Sequence, residues 1–80
     1  MSNWISLDSA ELGKQYVIRE VKEVSWKNKM LELGLIPNQK IELVLVAPFG
    51  DPIAIELDGV VISLRKTEAK YILVEDFRKS

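Results

Sequence analysis

Histidine and cysteine are both absent from the 80-residue chain. Without cysteine there is no disulfide and no thiolate ligand, which fits a reducing compartment. Without either residue type, Ser-His-Asp and Cys-His catalytic groups and the usual zinc sites are excluded. The common iron(II) site of two histidines and one carboxylate is excluded for the same reason. We therefore expect no enzymatic activity, no cofactor and no metal-ligand set.

The chain also lacks a strong net charge and a long apolar run. Its 11 basic and 12 acidic residues leave a net charge of −1. This balance argues against nucleic acid and against electrostatic attraction to a membrane surface, because both need a basic surface. No apolar run reaches the roughly 18 residues that span a bilayer, and the first residues do not resemble a signal peptide. We expect a cytoplasmic protein that does not insert into a membrane.

The length and the apolar content predict one globular domain. A chain of 80 residues, 48% hydrophobic and 29% charged, has the size of one small domain and an ordinary globular composition. We assign residues 1–80 to a single domain with a core from about residue 7 to residue 75.

Five segments rich in β-branched and aromatic residues predict strands at 15–22, 40–47, 53–57, 60–64 and 71–75. Asp58-Gly59 predicts a two-residue type I′ turn. The register that follows pairs Leu57 with Val60, Ile55 with Ile62, and Ile53 with Leu64, and we expect all six inside. Segment 40–47 is apolar on both faces after Leu43, which predicts a central strand covered on both sides, with Leu45 in the core.

A short helix is predicted from Trp26 to about Leu33, with Ser25 as its N-cap. Trp26, Met30 and Leu33 follow helical spacing and share one face, and Leu33 is the one expected in the core. Gly34 fits the C′ position, which needs a left-handed backbone conformation.

Two loops contain proline next to residues that tolerate positive φ. Pro37 and Asn38 predict a type II turn after the helix. In the second loop, proline restricts both the residue before it and its own φ. That loop consists of Ala47, Pro48, Phe49, Gly50, Asp51 and Pro52. Five short strands and one helix predict a mainly β fold, a small and strongly bent antiparallel barrel whose closure removes exposed strand edges.

These motifs, in this order, resemble the FeoA family. The most specific parts are Leu31-Glu32-Leu33-Gly34-Leu35 with Pro37, and Ala47-Pro48 with Gly50-Asp51-Pro52. The resemblance extends from about Leu7 to Val74 and departs where the family has Pro-Gly and this chain has Pro37-Asn38. It implies an SH3-like barrel of about five strands, with one short helix between the first two main strands.

The resemblance also implies a role and a partner. FeoA proteins are accessory proteins of bacterial ferrous-iron transport, and their implied partner is the cytoplasmic part of FeoB, a membrane GTPase transporter. The same module resembles the C-terminal SH3-like domain of DtxR-type iron-dependent repressors. The link to iron leaves transition-metal binding as a minor alternative, although no ligand set supports it.

The apolar residues near the helix exceed what a small barrel can enclose. Some of them should therefore remain on the surface and contact a partner. The alternative is that they complete the core and that Phe49 covers the open end of the barrel. The partner surface predicted from the sequence consists of Trp26, Met30, Leu35 and Phe49, with Lys27 and Lys29 at its rim.

A second functional hypothesis belongs to a different class. Without a transporter partner, an SH3-like domain could act as a regulatory module that senses a small ligand or binds a proline-rich segment.

Overall fold

Six antiparallel strands form one sheet in the computed structural model, which describes residues 3–77. The ends of the predicted domain, residues 1–2 and 78–80, lie outside this range. The strands are β1 (Ile5–Ser6), β2 (Gln15–Val21), β3 (Lys40–Val46), β4 (Ile53–Leu57), β5 (Val60–Leu64) and β6 (Ile72–Asp76). The helices are α1 (Lys27–Glu32) and α2 (Lys66–Ala69), with 3₁₀ turns at Leu7–Ser9 and Pro48–Gly50.

The sheet is not closed into a barrel. The strand order is β1-β6-β2-β3-β4-β5, and within residues 3–77 the edge strands β1 and β5 do not pair with each other. The predicted mainly β architecture and its five strands are confirmed, with one short strand in addition, whereas full closure is wrong. The sixth strand, β1, has only two residues, too few to produce an alternating pattern.

The β4–β5 hairpin confirms the predicted register. Leu57 pairs with Val60, and the next two inward pairs follow without interruption. Asp58 has φ 50° and Gly59 has φ 82°, as a type I′ turn requires. Only Val60 departs from the prediction: it flanks the turn and is exposed, while the other five apolar residues are buried.

One bulge sets the inner face of β2. Ile18 pairs with Val74 while Glu20 pairs with Leu73, so Arg19 is an extra residue in the ladder. An extra residue reverses the alternation of faces. Both Ile18 and Val21 are therefore buried although they lie three positions apart.

A second bulge sets the exposed face of β3. Leu43 pairs with Ile55 while Leu45 pairs with Ala54, so Val44 is the extra residue. The reversal moves Leu45 to the outer face, where it is 49% exposed. The prediction that this half of the strand is covered on both sides, with Leu45 in the core, is wrong.

Helix α1 is held mainly at its C-terminal end. It begins at Lys27 after Trp26, and no side chain caps its N-terminus. At the other end, Leu35 N donates to Met30 O at 3.0 Å and Gly34 N donates to Leu31 O at 3.0 Å. This pair of bonds is a Schellman motif with Gly34 at C′, and its φ of 102° agrees with the sequence prediction.

The Schellman motif decides which apolar residues of this segment are buried. It brings residue C″ back onto residue C3, here Leu35 onto Met30. These two side chains are 0% and 3% exposed, and both belong to the main core. Leu33 lies at the cap and Ile36 just beyond the motif; both are exposed. The prediction that Met30 and Leu35 lie on the surface, and Leu33 in the core, is therefore wrong.

The turn after the helix has the predicted form. Gln39 N donates to Ile36 O at 3.1 Å across Pro37 and Asn38, and Asn38 has φ 73°. This is the type II arrangement, with the positive φ at the third residue. Arg19 Nη1 donates to Asn38 Oδ1 at 3.0 Å, and Arg19 Nε donates to Glu75 Oε1 at 2.7 Å. The β2 bulge thereby joins the turn to β6.

Gly34 leaves no space for a side chain, because a Cβ there would lie 2.7 Å from Leu57 Cδ1. We expect Gly34→Ala to lower the free energy of unfolding by about 3 kcal/mol, combining backbone strain with overpacking. Gly13→Ala is the matched control: φ is also positive, 83°, but nothing lies within 4 Å. It should cost about 1 kcal/mol. Urea titrations measure both; equal losses would contradict the packing argument.

Candidate protein-binding surface

Four exposed apolar residues cluster at the end of β3 and in the loop that follows. They define what we call the 44–49 surface: Val44, Leu45, Val46 and Phe49. Scattered exposed apolar residues are ordinary on protein surfaces, but four within six positions mark this end of β3 as a candidate contact surface. The β3 bulge exposes Leu45, and the loop adds Phe49.

Hydrogen bonds hold the loop that presents Phe49. Ala47 N donates to Pro52 O at 3.0 Å, which closes the base of the loop. Gly50 N donates to Ala47 O at 2.8 Å inside it. Asp51 Oδ1 accepts a hydrogen bond from Lys66 N at 3.0 Å, which ties the loop to α2. The Asp51-Pro52 peptide bond is cis.

Phe49 itself contributes nothing visible to the fold. Its side chain is fully exposed, so the alternative that it covers the open end of the barrel is wrong. Its backbone has φ 69° and ψ 11°, a left-handed conformation that is unfavourable for an aromatic residue by about 1–2 kcal/mol. The hydrogen bonds of the loop hold this backbone conformation, and the exposed ring is accessible to a partner molecule.

The other predicted surface residues do not gather around Phe49. Met30 and Leu35 are in the core. Trp26 is half-buried and packs edge-to-face against Tyr71, with 5.9 Å between ring centroids. Lys27 Nζ donates to Glu23 Oε1 at 2.7 Å, and Lys29 is exposed.

A smaller apolar patch lies on the helix side. Leu33 and Ile36 are 43% and 44% exposed, on either side of the buried Leu35. Gly34 is next to Leu57 at the end of β4, whereas the Phe49 loop immediately precedes the start of β4. Four residue steps along a strand span about 13 Å. The predicted single surface is therefore divided into two.

The acidic residues of the range 3–77 do not gather into a metal-ligand group. No group of three or more carboxylates within that range could hold a metal ion, and none of its polar or charged residues is buried. Asp76 raises the pKa of Lys14, mainly through a hydrogen bond and also through its charge. Asp76 ends β6 and Lys14 immediately precedes β2, so this pair is not part of the 44–49 surface. No helix in the same range is long and apolar enough to cross a bilayer.

Sequence reasoning missed Val44, Leu45 and Val46. The available signal was the apolar run itself, which is typical of a covered strand and equally of a bulged strand with one apolar face exposed. The choice between the two depends on how β3 pairs with β4, and that pairing is not local information.

Comparison with known proteins decides the family. A family model described as the FeoA domain matches residues 5–76. This chain belongs to the FeoA family. An FeoA-like protein from Clostridium acetobutylicum is 37% identical, with a TM-score of 0.86 over 96% of this chain and 91% of that chain. The family resemblance inferred from the sequence is therefore confirmed.

Two further structures establish the fold class. FeoA from Stenotrophomonas maltophilia, a procaryotic SH3 domain protein solved with zinc, is 22% identical; the match covers 89% of each chain, with a TM-score of 0.79. A manganese-dependent transcriptional repressor is 13% identical, with a TM-score of 0.86 over 96% of this chain and 44% of that chain. At these identities the likeness shows the fold alone. The expected SH3-like fold and the likeness to repressors are confirmed.

Phe49 can be replaced without loss of stability if its role lies outside the fold. We expect Phe49→Asn to leave the melting temperature unchanged or raise it, because asparagine tolerates a left-handed conformation better than phenylalanine does. Leu35→Ala is the contrasting core variant and should cost about 3 kcal/mol. Thermal unfolding monitored by circular dichroism measures both. A clear loss of stability in Phe49→Asn would mean that the ring packs against the domain.

Proposed function

We propose that this FeoA protein is a non-enzymatic accessory protein of ferrous-iron transport. It acts in the cytoplasm as an adaptor that binds the cytoplasmic part of an FeoB-type GTPase transporter and regulates it. Family membership supports the transport role. The S. maltophilia relative is named as a candidate activating factor of bacterial ferrous-iron transport, which supports action on a transporter rather than on iron itself.

The exposure of Phe49 is the observation that carries the binding role. Aromatic residues supply much of the binding energy at protein interfaces when they enter a pocket of the partner. Phe49 is fully exposed on a loop with hydrogen bonds at its base and to α2. The partner therefore meets an anchor that is already ordered, so less conformational entropy is lost on binding.

The rest of the 44–49 surface gives the anchor an apolar surrounding. Leu45 and Val46 are both exposed beside the loop. Lys66 lies next to the loop, and its Nζ is 3.8 Å from the point that a Cβ would occupy at Gly50. An apolar centre with a charged group at its rim is the usual composition of a protein interface. The transporter should therefore offer an apolar pocket with a carboxylate near its edge.

The proposed contact is tested by titrating the purified cytoplasmic part of the transporter with this chain. We expect Phe49→Asn to weaken binding by about 10- to 100-fold, the range for loss of an aromatic anchor. Leu45→Asn should weaken it by a smaller factor. Isothermal titration calorimetry measures the dissociation constants.

Leu33→Asn is the matched control, because Leu33 has an exposure close to that of Leu45 but lies at the C-terminal end of α1, next to Gly34, which approaches the far end of β4. It should bind with the wild-type dissociation constant. If Leu33→Asn weakens binding and Phe49→Asn does not, the helix side is the contact surface. If wild-type protein does not bind the transporter at all, the adaptor role is wrong.

A second function is supported by the pair of Trp26 and Tyr71. SH3 domains bind proline-rich segments in grooves lined by aromatic rings. Trp26 precedes α1 and Tyr71 follows α2; both are half-buried, and their rings are in edge-to-face contact. Lys70 Nζ lies 5.3 Å from the Tyr71 ring centroid. This arrangement supports a regulatory module without a transporter partner. In a Trp4→Phe variant, which leaves Trp26 as the only tryptophan, a change in fluorescence on adding a proline-rich peptide, and its loss in Tyr71→Ala, would favour this function.

A further inference from the structure

Strand β5 leaves one edge of the sheet open. It pairs only with β4 among residues 3–77, and no further backbone hydrogen bond connects Val60–Leu64 to another element in that range. In an antiparallel ladder, the residues of one strand point their backbone groups alternately to either side. Leu57 and Val60 flank a two-residue turn and are hydrogen-bonded to each other. The backbone N–H and C=O groups of Val61 and Ser63 therefore point away from β4, toward the open side.

This edge lacks the features that normally prevent strand addition. Natural edges are short, bulged, covered, or interrupted by lysine or proline. The opposite edge, β1, has only two residues. Strand β5 has five residues, a register with β4 free of bulges, and the sequence VVISL with neither lysine nor proline. Val61 is 62% exposed, so no described side chain covers it.

We infer that β5 is a self-association edge, which pairs antiparallel with β5 of a second copy of this chain. A two-fold axis through Ile62 sets Val61 opposite Ser63 of the second copy. The backbone groups that both residues direct outward then bond to each other on each side of the axis. The contact is isologous, so the assembly stops at a dimer in which the β5 edges of the two copies are paired with each other.

The charges at the ends of β5 favour a second copy in this orientation. Asp58 precedes the strand and Arg65 with Lys66 follows it; all three are exposed. In the antiparallel arrangement, the turn that carries Asp58 in one copy comes near the end of β5 that Arg65 and Lys66 follow in the second copy. In a parallel pairing, the acidic ends of the two strands would lie together, as would the basic ends, and like charges would repel. Within residues 3–77, none of these three side chains forms an ion pair.

The size of the edge predicts a weak dimer. One five-residue strand per subunit buries less than the roughly 1,200 Å² of a standard stable interface. We expect a dissociation constant on the order of 100 µM at low salt. Higher salt should weaken the dimer, since exposed ion pairs at both ends are screened.

Sedimentation velocity from about 10 µM to about 1 mM tests this inference directly. The wild type should shift from monomer to dimer. Ser63→Pro should weaken the dimer by at least about tenfold, because proline removes an outward N–H but no bond to β4. Ser63→Ala keeps that N–H and should dimerise like the wild type. Circular dichroism reports whether each variant is folded.

Asp58→Asn is a second test that leaves the turn intact, because Asn-Gly is also a strong type I′ sequence. It should weaken the dimer by about fivefold and reduce its salt dependence, since each of the two ends loses one ion pair. Hydrogen exchange should show that the Val61 and Ser63 amides gain protection as the concentration rises. A monomer at all concentrations overturns the inference, as does a dimer that Ser63→Pro leaves unchanged. Protection of these amides by the transporter alone would also overturn it, by assigning the edge to a different partner.

Discussion

The left-handed conformation of Gly34 is the constraint on which the arrangement of this domain depends. It ends α1 and permits the two Schellman hydrogen bonds, which fold Leu35 back onto Met30. That contact places both side chains in the core. The absence of a Cβ at Gly34 also allows Leu57 to approach from β4. A helix of six residues is marginal on its own, so α1 depends on this packing.

Two bulges determine which side chains of the sheet are buried in the core and which are exposed. Arg19 is the extra residue in β2, and it lets Ile18 and Val21 share the core face. Val44 is the extra residue in β3, and it places Leu45 outside. The same device therefore completes the core at one place and creates the apolar patch beside Phe49 at another. Bulges commonly re-aim side chains in this way near functional sites.

Local signals allowed part of this structure to be predicted. Asp58-Gly59 determined the hairpin register because a two-residue turn leaves one pairing. Gly34 as C′ also implied the contact between C3 and C″, so the burial of Met30 and Leu35 could have been deduced from the sequence. The β3 bulge could not, because it depends on pairing with β4. The direction of Phe49 depends on its positive φ, which a phenylalanine in sequence does not indicate.

The central claim is that the transporter contacts the 44–49 surface and not the helix side. Amide chemical shifts of labelled protein, followed while the cytoplasmic part of the transporter is added, test it most directly. The account predicts the largest changes between Val44 and Gly50, with small changes between Trp26 and Ile36. Changes confined to Trp26–Ile36, with the signal of Phe49 unaffected, would contradict it.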